Sequence, residues 1–392
     1  MLKPSCLIPA LPPPTDLETV AVLKALAKAN RALAELKGRA ATIPNQGILI
    51  DTLALQEAKA SSEIENIVTT QDELFQADLK LEGLESPAAK EVALFRDALK
   101  LGFDNLRNSG GLITNRTLIE MFRLLKRHEG GFRVTPGTTL KNDSTGETIY
   151  VPPQDAREIE AAMTALERFI NEDALSDLDP LIKMALIHHQ FESIHPFPDG
   201  NGRIGRILNV LYLTRANLLE IPILYLSRHI TRTKADYYRL LQAVRTDGAW
   251  EPWVLYMLEA VAQTAHTTLA VVEGMRGQMA GLKQLMRTEL PNLYSQDLLN
   301  NLFRHPYTRI EYVVADLKVS RQTASKYLDL LAEKGFVDKH RSGRSNYYVN
   351  TALVRLFLDV SGGASDPPRV PRRPFRLSHA DRVDMRGVAS DH

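Results

Sequence analysis

The chain is poor in cysteine: among 392 residues there is one, Cys6. A single thiol forms no internal disulfide and excludes any zinc site built on several thiolates. A reducing, cytoplasmic setting is the natural expectation. Net charge is equally scarce. Lys and Arg total 48 against 47 for Asp and Glu, leaving +1. That balance excludes a chain that coats nucleic acid or membrane along its whole length. Long apolar runs are missing as well. The most apolar stretch, Ile207 to Leu226, is interrupted by Arg215, Glu220 and Pro222, so it falls short of the ~18 residues that a membrane span needs. Prolines stand near the N-terminus where an export signal needs continuous apolar sequence, so export is not expected. No internal repeat is visible.

What is present is mostly helical pattern, in a length that suits two or three domains at roughly 150 residues each. Residues 1–15 hold five prolines and read as an extended arm. From Asp16, a candidate N-cap, Leu17, Val20, Leu23, Leu26, Leu33 and Leu36 form an apolar stripe at helical spacing. Further helices are predicted near 53–67, 88–106, 115–127, 155–171, 180–195, 201–216, 234–244 and 251–286. One segment breaks the rhythm: in Thr135–Pro153, β-branched residues flank the turn-forming run from Asn142 to Gly146. This predicts a hairpin.

A boundary is expected near Pro291. Beyond it, Arg309–Leu317 and Ser320–Glu333 read as a helix-turn-helix, with Ser320 as N-cap and Gly335 just past the end. Phe336–Val349 reads as two strands around Ser342-Gly343. The unit is similar to winged-helix domains. Within Arg309–Arg344 eight basic residues face five acidic ones, a net of +3. Arg321, Gln322, Ser325 and Lys326 open the second helix, where a recognition helix reads bases, while Asp329 and Glu333 dilute it. DNA binding through 309–344 and plain protein contact both stay open. The tail from Ser361 is rich in Gly, Pro and Arg and is expected to be disordered.

The chemistry concentrates in residues 195–206, which read His-Pro-Phe-Pro-Asp-Gly-Asn-Gly-Arg-Ile-Gly-Arg. Pro196 and Pro198 stop one helix. Gly200 and Gly202 permit a tight turn and close backbone approach. The next helix begins near Asn201, and its free amides make an anion site. Arg203 and Arg206, three apart, share one side of it. Asp199 can hold Mg2+, and His195 carries an imidazole suited to base chemistry near neutral pH. Base, metal carboxylate, anion nest and two arginines describe a phosphate-transfer site. Neither the Walker lysine motif nor the strand of a dinucleotide fold is present. A metal hydrolase using His188, His189, Glu192 and His195 would need HExxH spacing, which is absent.

This string resembles the Fic family signature HPFx[D/E]GNGRxxR and matches every fixed position. The resemblance covers roughly residues 1–290. It implies a mainly α fold, a Fic-type helical bundle with a β-hairpin flap, here followed by the small winged-helix-like α+β unit. The implied divisions are 1–110 with an inhibitory helix, 111–290 as catalytic core with the flap at 141–150, 291–360, and the tail 361–392. Most Fic proteins are adenylyltransferases that move AMP from ATP to a Ser, Thr or Tyr hydroxyl, releasing pyrophosphate. By that resemblance His195 would deprotonate the hydroxyl and Asp199 would hold Mg2+. The ATP contacts would fall on Glu65, His195, Gly200, Asn201, Gly202, Arg203, Ile204, Gly205 and Arg206, with Tyr237 and Tyr238 around adenine. Related kinases carry Lys where this chain has Gly202, which favours AMP transfer. Thr148, Ile149 and Tyr150 would form the flap that aligns the target.

Ser61-Ser-Glu-Ile-Glu65-Asn66 resembles the family's inhibitory motif [S/T]xxxE[G/N]. By that likeness Glu65 pairs with Arg206 and keeps it from the γ-phosphate, with Ser61 and Asn66 as the other motif positions. The target would be another protein or the chain itself, and a homodimer is compatible with the resemblance. The rival reading is a winged-helix DNA-binding regulator whose Fic core senses nucleotide.

Overall fold

The computed structural model describes residues 8–79, 87–141, 145–342 and 345–361. The first helix, α1 (Val20–Ala40), starts later than expected. Thr19 caps it, accepting a hydrogen bond from the Val22 amide, whereas Asp16 accepts from the amide of Glu18. The N-terminal half continues with α2 (Gly47–Ile64), α3 (Gln71–Asp78), α4 (Pro87–Asn108) and α5 (Asn115–Lys126). A short hairpin of β1 (Leu140–Lys141) and β2 (Thr148–Tyr150) follows, with Leu140 opposite Tyr150 and Lys141 opposite Thr148. The expected turn residues Asn142 to Ser144 lie outside the described residues. Then come α6 (Ala156–Asn171), α7 (Pro180–Ile194), α8 (Asn201–Arg215), α9 (Ser227–Arg232), α10 (Lys234–Asp247) and the long α11 (Trp250–Glu289).

The centre of the bundle is α7, with every residue from Leu181 to Ile194 buried, and α8 lies against it. A helix surrounded by apolar neighbours on all sides must be central. Polar residues on α7 are therefore buried with it, which is how functional groups come to sit deep in the protein. Around this pair, α1 packs along α11, α4 on α5, and α2 between α4 and α9.

The C-terminal unit comprises α12 (Gln296–Arg304), β3 (Tyr307–Thr308), α13 (Ile310–Leu317), α14 (Arg321–Glu333), β4 (Asp338–Ser342), β5 (Ser345–Val349) and α15 (Thr351–Ser361). Its antiparallel sheet runs β3-β5-β4. Ser320 caps α14 as expected, while the turn at Gly343 and the tail beyond Ser361 lie outside the described residues. The unit does not hang free. Tyr307 stacks on Phe75 at 5.3 Å, Arg304 pairs with Asp51 at 2.7 Å, and Gln278 of α11 donates to the Ala352 carbonyl at 3.0 Å. One continuous apolar core joins it to the bundle. Two basic residues of its expected DNA face are held by neighbouring acids: Arg321 pairs with Glu311, and Lys339 with Asp329 at 2.6 Å. Among the described residues no helix is long and apolar enough to cross a membrane.

Leu36 is fully buried on α1. We expect Leu36→Ala to cost about 2–5 kcal/mol, read as a lower urea midpoint with an unchanged slope. An unaltered midpoint would show that α1 adds little to the core.

Candidate active site

The loop from His195 to Gly200 joins the C-terminus of α7 to the N-terminus of α8. His195 adopts a left-handed conformation (φ 50°, ψ 58°), and its amide closes α7 on the Phe191 carbonyl at 2.9 Å. A buried arginine fixes this turn. Arg133 Nε donates to the His195 carbonyl at 2.8 Å, and its Nη2 donates to the carbonyls of Ile194 and Pro153. Asn201 holds the loop from the other side. Its Oδ1 accepts from the Phe197 amide at 2.8 Å and its Nδ2 donates to the Phe197 carbonyl at 2.7 Å. The Asn201 side chain thus closes the loop on itself and does not reach outward to cradle a ligand. Gly200, at φ 76°, begins α8 with no side chain capping the helix. The first amides therefore remain available to an anion.

Both motif arginines are held by carboxylates from earlier helices. Arg203 Nη1 donates to Glu91 Oε1 at 2.8 Å; Lys126 contacts the same oxygen at 3.1 Å and Asp199 Oδ2 at 2.6 Å. Charges alternate along Arg203, Glu91, Lys126 and Asp199. Burial opposes ionisation of Glu91 and Asp199, yet the bonds from Arg203 and Lys126 hold both carboxyls below their ordinary range. Asp199 nevertheless stands largely in solvent. One exposed carboxylate beside an anion nest fits Mg2+ that arrives with phosphate oxygens. Among the described residues no three acidic, His or Cys groups converge to hold a metal by themselves.

Arg206 is more deeply enclosed. Its Nε donates to Ser61 Oγ at 2.8 Å, and its Nη2 donates to the Ser61 carbonyl at 2.9 Å and to Glu65 Oε1 at 2.8 Å. Burial works against its charge, but Glu65 raises its pKa above the usual value. The end of α2 is built for this contact. Asn66 takes the left-handed conformation (φ 62°) that asparagine tolerates at a helix end. Lys234 caps the same end, donating to the Ile64 carbonyl at 2.8 Å and to Asn66 Oδ1 at 3.3 Å. Gly202 completes the fit: a Cβ there would lie 2.3 Å from Glu65 Oε1.

His195 is partly exposed, and its Nδ1 has no hydrogen-bond partner among the described residues. Desolvation, reinforced by the Arg245 and Arg133 guanidinium groups, pushes the imidazole down to about 4. It is neutral at pH 7 and able to accept a proton. Behind it, burial pushes Glu192 up to about 7, against the pull of Arg206.

Several expected contacts turn inward. Ile204 is fully buried, and Gly205 packs against Glu192 and Phe191, because that face of α8 lies on α7. Tyr237 is buried, with its hydroxyl 2.8 Å from His188 Nε2, while Tyr238 is 45% exposed against the Tyr237 ring edge. In the hairpin, Thr148 and Ile149 are exposed, but Tyr150 is an anchor. Its hydroxyl donates to the Ser193 carbonyl at 3.0 Å and Arg245 lies 4.0 Å over its ring. His189 is bonded to the Leu241 carbonyl at 3.1 Å, so the histidine pair of α7 is structural. Sequence reasoning missed Glu91, Lys126, Arg133, Arg245 and Lys234, which carry no local motif.

A neutral imidazole, an open helix N-terminus and two enclosed arginines thus stand on one loop and the helix that follows it. Comparison with known proteins names the family. The Fic/DOC family N-terminal model matches residues 23–104, the Fic/DOC family model 113–213, and the model of the protein adenylyltransferase SoFic-like C-terminal domain 279–353. Over these three segments the chain is a Fic/DOC protein with a SoFic-like C-terminal domain. It is similar to protein adenylyltransferase Fic of Culex quinquefasciatus, 27% identical over 193 residues, 49% of this chain and 36% of that protein. The Drosophila erecta protein of the same name is 26% identical over 152 residues, 39% of this chain and 28% of that one. The chain thus matches about a third of the length of these curated relatives. Among solved structures, a Fic family protein from Desulfovibrio desulfuricans G20 shares the fold with a TM-score of 0.54 at 20% identity, covering 87% of this chain and 98% of that one. A Fic domain containing signaling protein from Bacteroides thetaiotaomicron does so with a TM-score of 0.51 at 18% identity, covering 65% and 97%.

A carboxyl with a raised folded pKa stabilises the fold at low pH and loses that contribution as pH rises through the folded value. Between pH 5 and 8, therefore, the wild type should lose thermal stability relative to Glu192→Gln, by several degrees in melting temperature. A difference between the two that stays flat with pH would place Glu192 in a solvated setting.

Proposed function

We propose that the chain transfers AMP from ATP to a hydroxyl of a target protein, and that Glu65 restrains this reaction. The observation that carries the reading is the pairing of Arg206 with Glu65 beside a neutral His195 and the open N-terminus of α8. The target hydroxyl attacks the α-phosphorus, the bond from that phosphorus to the bridging oxygen breaks, and pyrophosphate leaves. His195 takes the hydroxyl proton. Gly200 to Gly202 offer backbone to the phosphates, and Arg203 and Arg206 offset their charge. Asp199 would hold Mg2+, which supplies further charge neutralisation on the phosphates when bound; Lys126 must then release that carboxylate.

The exposed Thr148 and Ile149 give the hairpin an edge on which a target segment can pair, while Tyr150 fixes the hairpin to α7. Arg206 is the group through which Glu65 acts. A γ-phosphate and the Glu65 carboxylate compete for the same donors. A charge-assisted hydrogen bond contributes about 1.5–3 kcal/mol, and holding the competent state near 1% needs about half of the ~5.5 kcal/mol of a full two-way switch. The names of the relatives, protein adenylyltransferase, support the same reading. A DNA-binding regulator has less support, because Arg321 and Lys339 are already paired.

The test is incubation with α-labelled ATP, Mg2+ and cell lysate, followed by a search for intact AMP on protein by mass. Glu65→Gly should raise transfer by about 10–100-fold; an unchanged level would remove the restraint from the reading. His195→Ala should lower transfer by about 100-fold or more, and retained activity would exclude His195 as the base.

A further inference from the structure

The last turn of α7 ends on carbonyls that the helix's own amides do not reach. Side chains from elsewhere meet them. The Glu192 carbonyl accepts from Arg245 Nη2 at 3.2 Å, the Ser193 carbonyl from the Tyr150 hydroxyl at 3.0 Å, and the Ile194 carbonyl from Arg133 Nη2 at 3.3 Å. Arg245 and Arg133 are cations, which the C-terminal end of a helix dipole favours. Tyr150 belongs to the hairpin, and Arg133 also holds the Pro153 carbonyl just beyond it. The end of α7, immediately before His195, is thereby the anchor of the hairpin.

Arg245 of α10 joins the two parts. Its Nε donates to the Ser193 hydroxyl at 3.0 Å, its Nη2 takes the Glu192 carbonyl, and its guanidinium lies 4.0 Å over the Tyr150 ring. A planar fork with donors at its edge and a face for stacking suits this task, and an ammonium does not. Burial works against the charge and lowers the Arg245 pKa. Packing alone would be served as well by an apolar residue of similar size. The hairpin itself pairs at two positions, and two short strands alone are marginal in water. Gln154 ties its feet together, accepting from the Gly137 amide at 2.6 Å and donating to the Thr138 carbonyl at 3.0 Å. The hairpin is thus a single piece whose seat on α7 is Tyr150.

We propose that Arg245 is a positioning residue for transfer: it locks the hairpin edge, where a target segment pairs, to the helix end that carries His195, and so sets how the target hydroxyl meets the base. This role rests on the functions given above to the hairpin and to His195. The connection is short. Thr148 and Ile149 stand at the exposed edge, Tyr150 lies under the guanidinium, and Ser193 and Glu192 hold its donors just before His195. Arg245 is also near enough to His195 that, after desolvation, its charge is the strongest influence keeping the imidazole neutral. A displacement of about 1 Å between reacting groups can cost about 100-fold in rate. The phosphate contacts proposed at α8 do not involve Arg245, so ATP affinity is expected to be unaffected by its loss.

The test compares Arg245→Met, Arg245→Lys and Tyr150→Phe in the full Glu65→Gly chain, with α-labelled ATP, Mg2+ and cell lysate. In Arg245→Met the maximal rate of AMP transfer should fall about 10–100-fold, with the KM for ATP unchanged. Arg245→Lys keeps the charge without the fork and should not restore the rate. Hydrogen exchange on the same proteins needs no transfer. Residues 148–151 should exchange about tenfold faster in Arg245→Met, while residues 203–213 of α8 exchange as before; a general loss of stability would speed both. Tyr150→Phe, which removes only the hydroxyl on the Ser193 carbonyl, should loosen the same hairpin residues, and it decides the matter if Arg245→Met does not fold. The proposal is overturned if residues 148–151 keep their exchange rates in the folded variants, if α8 loosens equally, if Arg245→Lys restores the rate, or if the KM for ATP rises while the maximal rate holds. Absence of transfer in Glu65→Gly itself instead removes the adenylylation reading, and the exchange result then still decides whether Arg245 fastens the hairpin to the end of α7.

Discussion

A guanidinium that is only 2% exposed has to be paired wherever the chain folds. Arg206 is that group, and much of the bundle is arranged around supplying its partners. The N-terminus of α8 places it against α2, and the end of α2 turns sharply at Asn66 so that Ser61 and Glu65 both reach it. Lys234 then secures that end from α10. Any exchange of partner has to leave this buried charge hydrogen-bonded. On the function proposed above, the anion that takes the place of the Glu65 carboxylate is a phosphate brought from outside.

The same logic extends to the second arginine. Arg203 is held by Glu91 of α4, as Arg206 is held by Glu65 of α2. Both carboxylates come from the N-terminal helices, and both arginines from the segment matched by the Fic/DOC model. The near-equality of acidic and basic residues in the whole chain has a local counterpart here: Arg203 and Arg206 are each paired with an acid from another part of the chain. The same pattern reappears at the C-terminus, where Arg321 and Lys339 face Glu311 and Asp329. The net of +3 there is unchanged by this pairing, but two of its cations are no longer without an acid beside them.

The parts legible in sequence were those encoded locally. The string from His195 to Arg206 is contiguous, and its prolines and glycines dictate a helix end, a loop and a helix start. Ser61, Glu65 and Asn66 lie close together in sequence at the end of one helix. Most long helices were visible from periodicity. Short ones such as α3, α9, α12 and α15 were not, because few residues leave little pattern. Arg133 acts on a loop some sixty positions away, and Glu91 on an arginine more than a hundred away; no spacing rule reports such a pair. Tyr237 shows the converse. Its position beside Tyr238 said nothing about which ring turned inward, and only the packing of α10 against α7 and α11 decides it. Asp16 was the expected cap, but the first helix begins at Val20 and Thr19 caps it.

Gly202 carries a consequence of its own. The space a side chain would occupy there is already filled by the Glu65 carboxylate. A side chain at 202 would meet both the Glu65 carboxylate and the Arg206 guanidinium, so the tips of those side chains would have to move aside. On the function proposed above, a change at 202 therefore bears on the phosphate contacts and on the Glu65 restraint together.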